Sequence, residues 1–581
     1  MKKFVALFIA IFITINPAYA VFDATDSWIG EPFSGFNSTK SVKGKQYMVS
    51  SADKLASEAG ALMLAKGGSA IDAAIATQLV LNVVEPYSSG IGGGGFLLFY
   101  DAKNKKTTYY NGRETAPARA FETMFLDKKG EPRQFKDVVR GGLSVGTPGL
   151  LKILKEAHER YGNLPWEILF EPAIKLGMEG FTVSKRMNIL TQYSDYIKDF
   201  DETAEIYLDN EKNPRAIGDI IRNQKLAKTF QLLAQNGIND FYNGIIAKDI
   251  VRAVGNSKIN PGYLSLADLR NYKSKQGELI CATYRVKYKI CSMPLPSSGG
   301  ITTLQILGIL ENFELKKMRP NSAKSVHLIA EATKLAYADR NEYIADVPIA
   351  QMLNKVYLRK RSNLIDMKKA SENIFPGEFE GSNKLPSHEL AKDSTPEMPS
   401  TTHISVVDKN GNAVALTSSI EYFFGSALTV DGFTLNNQLT DFSLQPKING
   451  KKVANRLQPG KQPRSSMSPT FVFNENDDLV MVLGSPGGPR IIQFTVKTIL
   501  NYIDWNMDIQ EAISSPNFIA LNNVIELEKG TKITRLKKKL EKMGHKVELT
   551  DIVSGINAIA VNDNYIKGGS DPRRQGFAVG K

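Results

Sequence analysis

The sequence has few cysteines, few histidines and no concentrated basic stripe. Of its 581 residues, 2 are cysteine and 5 are histidine, and neither a His-Glu-x-x-His motif nor a Cys/His cluster occurs. A zinc site therefore has little support. Aromatic residues make up 9% of the chain, and the formal net charge of +13 is diffuse, which does not favour nucleic-acid binding. With 42% hydrophobic and 23% charged residues, the composition is that of a globular protein of two or more domains, or one large layered domain.

The N-terminus has the pattern of a signal peptide. Two lysines precede an apolar run from Phe4 to Ile15, and a small-x-small cleavage pattern follows at Ala18-Tyr19-Ala20. The apolar run is too short to span a bilayer of about 30 Å as a helix, and no other uncharged stretch reaches that length. The sequence predicts a signal peptide at residues 1–20 and an exported protein without a membrane span. An uncleaved anchor is the alternative.

The two cysteines, Cys281 and Cys291, lie in β-rich runs that meet near Arg285 and Val286. A hairpin that turns at this point places the cysteines opposite each other. A cross-strand disulfide fits an exported chain, and two thiols buried as small hydrophobes fit the same pattern. Both alternatives remain open at the level of sequence.

The texture of the chain changes near residue 400. Residues 376–400 lack an apolar period and are rich in turn residues at both ends, which is typical of an exposed, protease-accessible linker. From Thr401 onward, two β-branched runs flank Asn410-Gly411, the strongest short-range signal for a hairpin. A loop of two or three residues at that point places Ser419 beside Thr401.

A second ordered feature lies near the C-terminal end of the chain. A strand pattern begins at Leu479 and ends in Gly487-Gly488, and a helical pattern runs from Arg490 to Ile503. Backbone N–H groups that converge at the start of a helix form a ready site for an oxyanion.

Two short motif matches lack the structural context that they need. Gly90 to Gly95 satisfies G-x-G-x-x-G but follows a helical pattern and opens a strand, the reverse of a dinucleotide site. Gly142 to Gly146 satisfies G-x-S-x-G, but no strand clearly precedes it and Thr147-Pro148 stands where the helix should begin. Dinucleotide binding is not predicted, and the second match is interpreted as a structural turn.

No histidine is well placed to activate a hydroxyl. His403 is two residues from Thr401, about 6.6 Å along a strand, and is interpreted as a structural strand residue. His327 and Glu331 are interpreted as ordering a helix surface. If the chain were cut between Ser400 and Thr401, the freed α-amine of Thr401, with a pKa of about 7.7 to 8.0, would lie beside its own hydroxyl and serve as its base.

The chain resembles the γ-glutamyltranspeptidases of the N-terminal-nucleophile hydrolase superfamily, from the mature N-terminus to the end. The blocks that carry the resemblance are Asn111–Pro117, Pro294–Gly300, Ala332–Arg340, Thr401–Ser405, Leu435–Phe442, Pro463–Pro469, Gly484–Gly488 and Ser570–Arg573. The resemblance implies an α+β fold, a four-layer αββα sandwich formed jointly by two subunits. It also implies an inactive precursor that cleaves itself before the threonine, into a large subunit of residues 21–400 and a small catalytic subunit of residues 401–581.

The resemblance further implies the catalytic groups. Thr401 is the implied nucleophile with its own amine as base, and Ser419 supplies the hydroxyl that orients it. The backbone amides of Gly487 and Gly488 form the implied oxyanion hole. Self-cleavage is implied at the bond between Ser400 and Thr401.

The residues implied to hold the substrate fall into two groups of opposite character. A guanidinium and two hydroxyl donors suit the α-carboxylate, and acceptors with negative charge suit the α-ammonium. The implied carboxylate ligands are Arg113, Ser465 and Ser466, and the implied ammonium ligands are Glu421, Gln438 and Asp441.

Three features depart from the pattern of many relatives. Ser419 replaces a threonine but keeps the hydroxyl, and Glu421 replaces an asparagine and adds charge near the ammonium. The segment from Asp441 to Ser465 is intermediate in length between relatives with and without a long lid, and it lacks the aromatic residue that some lids carry. Lid closure and the balance between water and amino-acid acceptors stay open.

The implied activity is acyl transfer from glutathione or another γ-glutamyl amide to water, an amino acid or a dipeptide, without a cofactor or a metal. The alternatives are a glutaryl-β-lactam acylase of the same fold, a poly-γ-glutamate depolymerase and an inert exported binding protein. Asp441 argues against the acylase, and the presence of Thr401 and the glycine pair argues against the binding protein. The expected location is the periplasm, with the extracellular space as the alternative. The physiological donor and the oligomeric state stay open.

Overall fold

The computed structural model describes residues 30–343, 350–379, 390, 391, 395 and 397–581. The predicted signal peptide, residues 1–20, lies outside the described residues, as do residues 380–389, 392–394 and 396 of the predicted linker.

Within the described ranges, two large sheets have seven antiparallel strands each. In spatial order, the first sheet contains β23 (Phe577–Gly580), β2 (Met48–Ser51), β10 (Ser400–Val407), β11 (Ala413–Glu421), β3 (Gly94–Asp101), β4 (Lys106–Asn111) and β7 (Lys275–Gly277). The second sheet contains β1 (Val42–Gly44), β22 (Tyr565–Ser570), β21 (Asn557–Asn562), β17 (Leu479–Gly484), β16 (Thr470–Phe473), β9 (Tyr288–Ser292) and β8 (Ile280–Tyr284). Each sheet therefore combines strands from before and after residue 400.

Shorter strands and the helices complete the described secondary structure. The remaining strands are β5 (Phe181–Thr182), β6 (Ile220–Ile221), β12 (Thr429–Val430), β13 (Phe433–Thr434), β14 (Lys447–Ile448), β15 (Lys451–Lys452), β18 (Phe518–Leu521), β19 (Val524–Glu528) and β20 (Lys546–Thr550). The helices are α1 (Lys54–Ala65), α2 (Ala70–Val84), α3 (Phe135–Val138), α4 (Leu150–Tyr161), α5 (Glu171–Glu179), α6 (Lys185–Tyr193), α7 (Asp201–Tyr207), α8 (Gln224–Asn236), α9 (Asn239–Tyr242), α10 (Ile245–Gly255), α11 (Leu266–Arg270), α12 (Gly299–Leu310), α13 (Ala323–Tyr343), α14 (Lys355–Ser362), α15 (Ile491–Ile503), α16 (Ile509–Ser514) and α17 (Lys537–Lys542).

The two sheets pack face to face, and helices cover their outer faces. Successive side chains of a strand point to opposite sides, so β3 contributes to two cores. Phe96 and Leu98 pack between the sheets with Val482 of β17, whereas Leu97 and Phe99 pack against the outer helices. Helices α1 and α2 lie outside the first sheet, and α12, α13 and α15 lie outside the second. The layers are therefore helix, sheet, sheet and helix, as the resemblance implied.

Helix α2 shows how local sequence fixes an outer element. The Ser69 side chain accepts the backbone N–H of Asp72, and the Asp72 carboxylate accepts the N–H of Ser69, so the two residues form a capping box. The sequence predicts this start, because Ser69 directly precedes a helical apolar pattern from Ala70 to Val84 and serine is a favoured N-cap residue. The helix is buried along its whole length because it lies between the first sheet and the surrounding helices.

The predicted hairpin joins β10 and β11, the central strands of the first sheet. The N–H of Asp408 donates to the carbonyl of Asn412 at 3.0 Å, which leaves a loop of three residues, 409–411. Within this loop, Gly411 takes the left-handed conformation with φ of 82°. The register runs regularly from Val407 opposite Ala413 to Thr402 opposite Ser418, and it then shifts, so that Ser400 pairs with Glu421. The shift places two residues of β11, Ser419 and Ile420, opposite the single residue Thr401, so β11 carries a β-bulge at this point, a feature that re-aims a side chain.

The β8–β9 hairpin places Cys281 directly opposite Cys291, and the two form a disulfide. Of the two alternatives that the sequence left open, the structure has the cross-strand disulfide. Arg285 and Val286 form the turn, both with positive φ.

The end of the predicted linker differs from the expectation. Glu397, Met398, Pro399 and Ser400 are buried rather than exposed. Their burial has a local cause, because the segment lies in a pocket that is described below. Within the described ranges, no helix combines the length and the apolar character needed to cross a membrane.

Candidate active site

Thr401 stands at the start of β10 with its hydroxyl directed at the bond that precedes it. Its Oγ1 lies 2.6 Å from the carbonyl oxygen of Ser400 and 3.2 Å from Oγ of Ser419. The Ser419 hydroxyl donates to the same carbonyl at 2.7 Å and accepts the backbone N–H of Glu421 at 2.9 Å. In the uncut chain, both hydroxyls therefore meet at the carbonyl of the predicted scissile bond.

The peptide groups on both sides of Thr401 are held in place. The Ser400 hydroxyl donates to the carbonyl of Tyr87. Arg574 donates through Nη1 to the carbonyl of Thr401 at 3.0 Å, and it forms a buried ion pair with Glu31. This clamping fixes the orientation of the carbonyl that the Thr401 hydroxyl faces.

With the exception of Gly487, the predicted catalytic and substrate residues converge on one small cavity. Its volume is about 20 Å³, which is room for about one water molecule. The residues that line it are Arg113, Glu397, Met398, Thr401, Ser419, Glu421, Gln438, Asp441, Ser465, Ser466, Met467, Gly488 and Ile491. Blocks that are more than 300 residues apart in sequence are thus brought together around the Thr401 hydroxyl.

Arg113 and Asp441 form a buried ion pair. Arg113 is buried, and its Nη2 donates to Oδ2 of Asp441 at 2.5 Å and to the carbonyl of Arg464 at 2.7 Å. Gln438 donates to the same Asp441 oxygen at 2.5 Å. Burial raises the pKa of Asp441 to about 6, although the neighbouring guanidinium of Arg113 lowers it. A zwitterionic ligand would exchange this internal pair for two new pairs.

Glu421 supplies a second buried carboxyl beside Asp441. Its backbone is left-handed with φ of 78°, which turns its N–H onto Ser419. Burial and the charge of Asp441 raise the pKa of Glu421 well above its usual range, whereas hydrogen bonds, the first from Asn437, lower it. Within the described part of the chain, its Oε1 has no hydrogen-bond partner. A bound cation would stabilise the charged forms of both carboxyls.

The predicted oxyanion site lies where β17 leads into α15. Gly487 and Gly488 have φ of 132° and 55°, and Gly488 begins a short 3₁₀ helix that continues into α15. A Cβ at Gly488 would lie 2.9 Å from the carbonyl oxygen of Met398 and 3.0 Å from that of Glu397. Both the left-handed backbone and the close approach require glycine at this position.

The His403 side chain makes its hydrogen bonds within the sheet and not with Thr401. Its Nδ1 lies 2.8 Å from Oγ1 of Thr417 and its Nε2 lies 3.1 Å from Oγ of Ser405. Burial lowers the pKa of His403 to about 3, so the ring is neutral at physiological pH. These contacts agree with its interpretation as a structural strand residue.

His327 and Glu331 are buried, not on a helix surface, and they belong to a polar cluster. His327 Nε2 lies 2.7 Å from the carbonyl of Asp366, and its Nδ1 lies 2.7 Å from Nε2 of His545. Lys334 donates to Glu331 at 2.9 Å and lies 3.4 Å from Nδ1 of His545. The two histidines and Glu331 have potential metal-ligand atoms within 4.8 Å of one another. These atoms are already engaged, because the two histidine rings contact each other and the Lys334 ammonium contacts both Glu331 and His545. The cluster is therefore suited to joining elements rather than to holding a metal.

Six pocket or near-pocket residues were not singled out from the sequence, and two of them, Met467 and Ile491, are apolar lining residues. Glu397 and Met398 occupy the pocket from the linker side, and Arg340 and Arg464 donate to the Glu397 carboxylate. Arg340 ends one of the blocks that carry the resemblance, which is a signal that could have identified it. Glu397 lacks a comparable signal beyond its place four residues before Thr401.

Two packed sheets between helical layers, with a threonine at the start of a central strand, define the class of N-terminal-nucleophile hydrolases. Residues 56–581 match the family described as gamma-glutamyltranspeptidase. The chain belongs to that family, which confirms the family and the fold predicted from the sequence.

Individual relatives cover nearly the whole chain. It is 38% identical over 558 residues to a glutathione hydrolase proenzyme of Bacillus subtilis, covering 92% of each chain. It is also 38% identical over 551 residues to a proenzyme of the same name from Escherichia coli, covering 92% of this chain and 91% of that relative.

Solved structures show the same fold. A cephalosporin acylase from Bacillus halodurans has a TM-score of 0.82 at 26% identity, covering 95% of this chain and 98% of that one. A γ-glutamyltranspeptidase chain from Helicobacter pylori has a TM-score of 0.54 at 32% identity, covering 61% of this chain and 98% of that one.

Proposed function

We propose that the protein is a glutathione hydrolase and γ-glutamyltransferase that matures by cleaving its own bond between Ser400 and Thr401. The observation that carries the proposal is the pocket. Besides the linker residue Glu397, it joins a threonine hydroxyl to one buried arginine and to two buried carboxyls, a combination that suits the zwitterionic end of a γ-glutamyl group. The sequence similarity to proenzymes supports the maturation step.

Maturation uses the contacts seen in the uncut chain. The Thr401 oxygen attacks the carbonyl carbon of Ser400, and the carbon–nitrogen bond breaks. The hydroxyl proton passes to the departing nitrogen, which becomes the free α-amine of Thr401. Water then hydrolyses the resulting ester, which leaves a carboxylate on Ser400 and restores the Thr401 hydroxyl. Ser419 stands 3.2 Å from the attacking oxygen and is placed to orient it.

Turnover repeats this chemistry on the substrate. The α-amine of Thr401 accepts the hydroxyl proton, and the oxygen attacks the γ-carbonyl carbon. The N–H groups of Gly487 and Gly488 stabilise the oxyanion, and the leaving amine takes a proton as its bond to carbon breaks. Water, an amino acid or a dipeptide then attacks the acyl-enzyme. The Thr401 oxygen recovers a proton as hydrolysis or transfer ends the cycle.

Recognition divides the pocket by charge. Arg113, Ser465 and Ser466 bind the α-carboxylate as donors, and Glu421, Gln438 and Asp441 bind the α-ammonium as acceptors. A γ-glutamyl group carries both charges, whereas a glutaryl group carries only the carboxylate. The two acidic residues therefore favour γ-glutamyl substrates over the glutaryl-β-lactams that a same-fold acylase would take.

A paired substrate assay tests the proposed function. Purified protein is given γ-glutamyl anilide, glutaryl anilide or poly-γ-glutamate, each with and without glycylglycine. We expect release of the aniline from the γ-glutamyl anilide, with faster release when glycylglycine is present as an acceptor. Preference for glutaryl anilide would identify an acylase, release from long poly-γ-glutamate alone would identify a depolymerase, and inertness toward all of them would identify a binding protein.

Replacement of Arg113 by alanine should raise KM for the γ-glutamyl anilide by at least about 30-fold. Removal of one partner of a buried charge pair costs about 2 to 5 kcal/mol, and about 1.4 kcal/mol corresponds to a factor of ten. Steady-state kinetics provides the measurement, with Arg119→Ala as the control because Arg119 is an exposed arginine six residues away. Equal KM values in the two variants would remove Arg113 from the site.

The pH dependence should report on Asp441. Its carboxyl has a pKa of about 6 in the unliganded pocket, so it becomes neutral below that pH and loses its attraction for the substrate ammonium. We expect kcat/KM to fall about tenfold per pH unit as the Thr401 amine is protonated below about pH 7.7 to 8.0. Below pH 6 the fall should steepen to about a hundredfold per unit, because Asp441 is then protonated as well.

The variant Asp441→Asn distinguishes the Asp441 carboxyl from other groups that titrate in the same pH range. Asp441→Asn should lower kcat/KM at neutral pH, and its decline below pH 6 should be only about tenfold per pH unit, because the Thr401 amine alone still titrates. Asp431→Asn is the matched control, because burial raises the pKa of Asp431 to about 6 as well, but Asp431 lines a different cavity. An unchanged decline in Asp441→Asn would assign it to another group.

The N-terminal pattern supports export, with the periplasm as the proposed location and the extracellular space as the alternative. Fractionation of cells that express the full chain, with activity and N-terminal sequencing of the large fragment, tests this part of the proposal. A fragment that starts at Met1 would contradict it.

A further inference from the structure

The Glu397 side chain occupies part of the pocket before the chain is cut. Only 9% of the residue is exposed, although it belongs to a linker segment. Its carboxylate accepts hydrogen bonds from Arg340 and Ser466, and Arg464 Nη2 lies 3.3 Å from the same group. Two guanidinium groups and one hydroxyl thus surround a carboxylate that lies four residues before the scissile bond.

These partners are the kind that a substrate carboxylate requires. Ser466 is one of the two hydroxyls assigned to the substrate α-carboxylate. Arg340 holds that hydroxyl directly, since its Nη2 also donates to Oγ of Ser466 at 2.9 Å, and its Nε donates to Ser298 at 2.9 Å. Burial alone would raise the pKa of Glu397, but the two guanidinium groups lower it to about 2, so the side chain is ionised.

The backbone of the same segment closes the remaining space. The carbonyl oxygens of Glu397 and Met398 lie against Gly488, within 3.0 Å of the position that a Cβ would take. The cavity that remains, about 20 Å³, is too small for a γ-glutamyl group. Substrate binding therefore requires this segment to leave.

We propose that Glu397 is a tethered ligand of the carboxylate subsite, which positions the scissile bond for cleavage and fills the pocket until the cut. This inference rests on the proposed function. One end of the segment is held by the Glu397 carboxylate and the other by the Ser400 side chain and the pairing of Ser400 with Glu421. After cleavage, Ser400 is a chain end, and the segment is free to withdraw from Arg340 and Arg464.

The test follows cleavage over time in chains made by cell-free synthesis with labelled methionine. Glu397→Ala and Glu397→Gln should both be cut at least about tenfold more slowly than the wild type, since small misplacements of reacting groups cost factors of this size or larger. Glu378→Ala, an exposed glutamate of the same linker, should be cut at the wild-type rate.

Chemical rescue separates a ligand role from a merely structural one. Alanine at position 397 removes a CH₂–COO⁻ group, which acetate matches in size and charge. Added acetate should accelerate cleavage of Glu397→Ala, whereas acetamide, of the same shape but neutral, should not. A thermal melt checks that Glu397→Ala is folded. If it is not, the cleavage rate of Glu397→Gln, which keeps the size of the side chain, decides whether the carboxylate is needed.

The outcomes distinguish this inference from the proposed function. A wild-type chain that stays uncut contradicts the proposed maturation. A wild-type chain that is cut, together with Glu397 variants that are cut equally fast, overturns only the tethered ligand. Slow cleavage of Glu397→Ala that acetate and acetamide restore equally, or not at all, also overturns it.

Discussion

Thr401→Ala is expected to leave one uncut, inactive chain. The substitution deletes the oxygen that lies 2.6 Å from the carbonyl oxygen of Ser400 in the uncut chain, and the same oxygen is the proposed nucleophile of turnover. A denaturing gel should show one band for the variant and two for the wild type, which correspond to residues 21–400 and 401–581. Sequencing of the smaller wild-type fragment should begin at Thr401.

The control is the neighbouring threonine. Thr402→Ala removes a buried hydroxyl one residue further along β10 and should still be cut. Thr401→Ser should be cut and active, though more slowly, because the hydroxyl remains while the methyl group that restricts χ1 is lost. A wild-type protein that is fully active as a single chain would refute the N-terminal-nucleophile mechanism.

Gly488→Val should lower kcat by about 10² to 10³, the usual cost of losing one oxyanion donor. A β-branched residue does not tolerate φ of 55°, so the backbone at position 488 must rotate. The N–H of that residue then turns away from the position of the oxyanion. KM should change much less, because the residues that bind the two charged groups of the substrate remain. The measurement is steady-state kinetics normalised to the amount of small fragment.

Cleavage must be scored separately in this variant. A Cβ at Gly488 would also press on the carbonyls of Met398 and Glu397, so a smaller fraction of the chain should be cut. Normalisation to the cut fraction separates this effect from turnover. A folded, cut Gly488→Val enzyme with full kcat would show that the oxyanion is stabilised by other groups.

Local signals in the sequence predicted the parts of the fold that depend on neighbouring residues. Asn410-Gly411 predicted the hairpin and the proximity of Thr401 and Ser419, because turn geometry fixes the register of the strands that it joins. Ser69 predicted the start of α2 because its side chain accepts a backbone N–H that the first turn of a helix leaves without a partner. The spacing of His403 from Thr401 favoured a structural strand residue over a base, and its contacts with Thr417 and Ser405 agree with that interpretation.

The convergence of the pocket could not be predicted from local patterns. Arg113 and Asp441 meet across more than 300 residues, and only the resemblance to a family suggested that they belong together. The linker prediction was wrong at Glu397 because composition reports an average preference for solvent. Composition does not reveal that Arg340 and Arg464, which are distant in sequence, bind the Glu397 carboxylate in the folded chain. His327 and Glu331 were placed on a helix surface for the same reason, since their partner His545 comes from a distant part of the chain.

The interleaving of strands from both sides of residue 400 makes the cut protein difficult to rebuild. Neither fragment contains a complete sheet, so after denaturation two separate polypeptides must find each other before either sheet can close. Recovery becomes a bimolecular process whose yield rises with protein concentration and competes with aggregation of exposed strand edges. The uncut Thr401→Ala chain keeps all its strands on one polypeptide and can refold by itself at high dilution. The uncut chain is therefore a reversible folding unit, whereas the cut protein persists only as long as it unfolds slowly. The two forms differ by a single peptide bond.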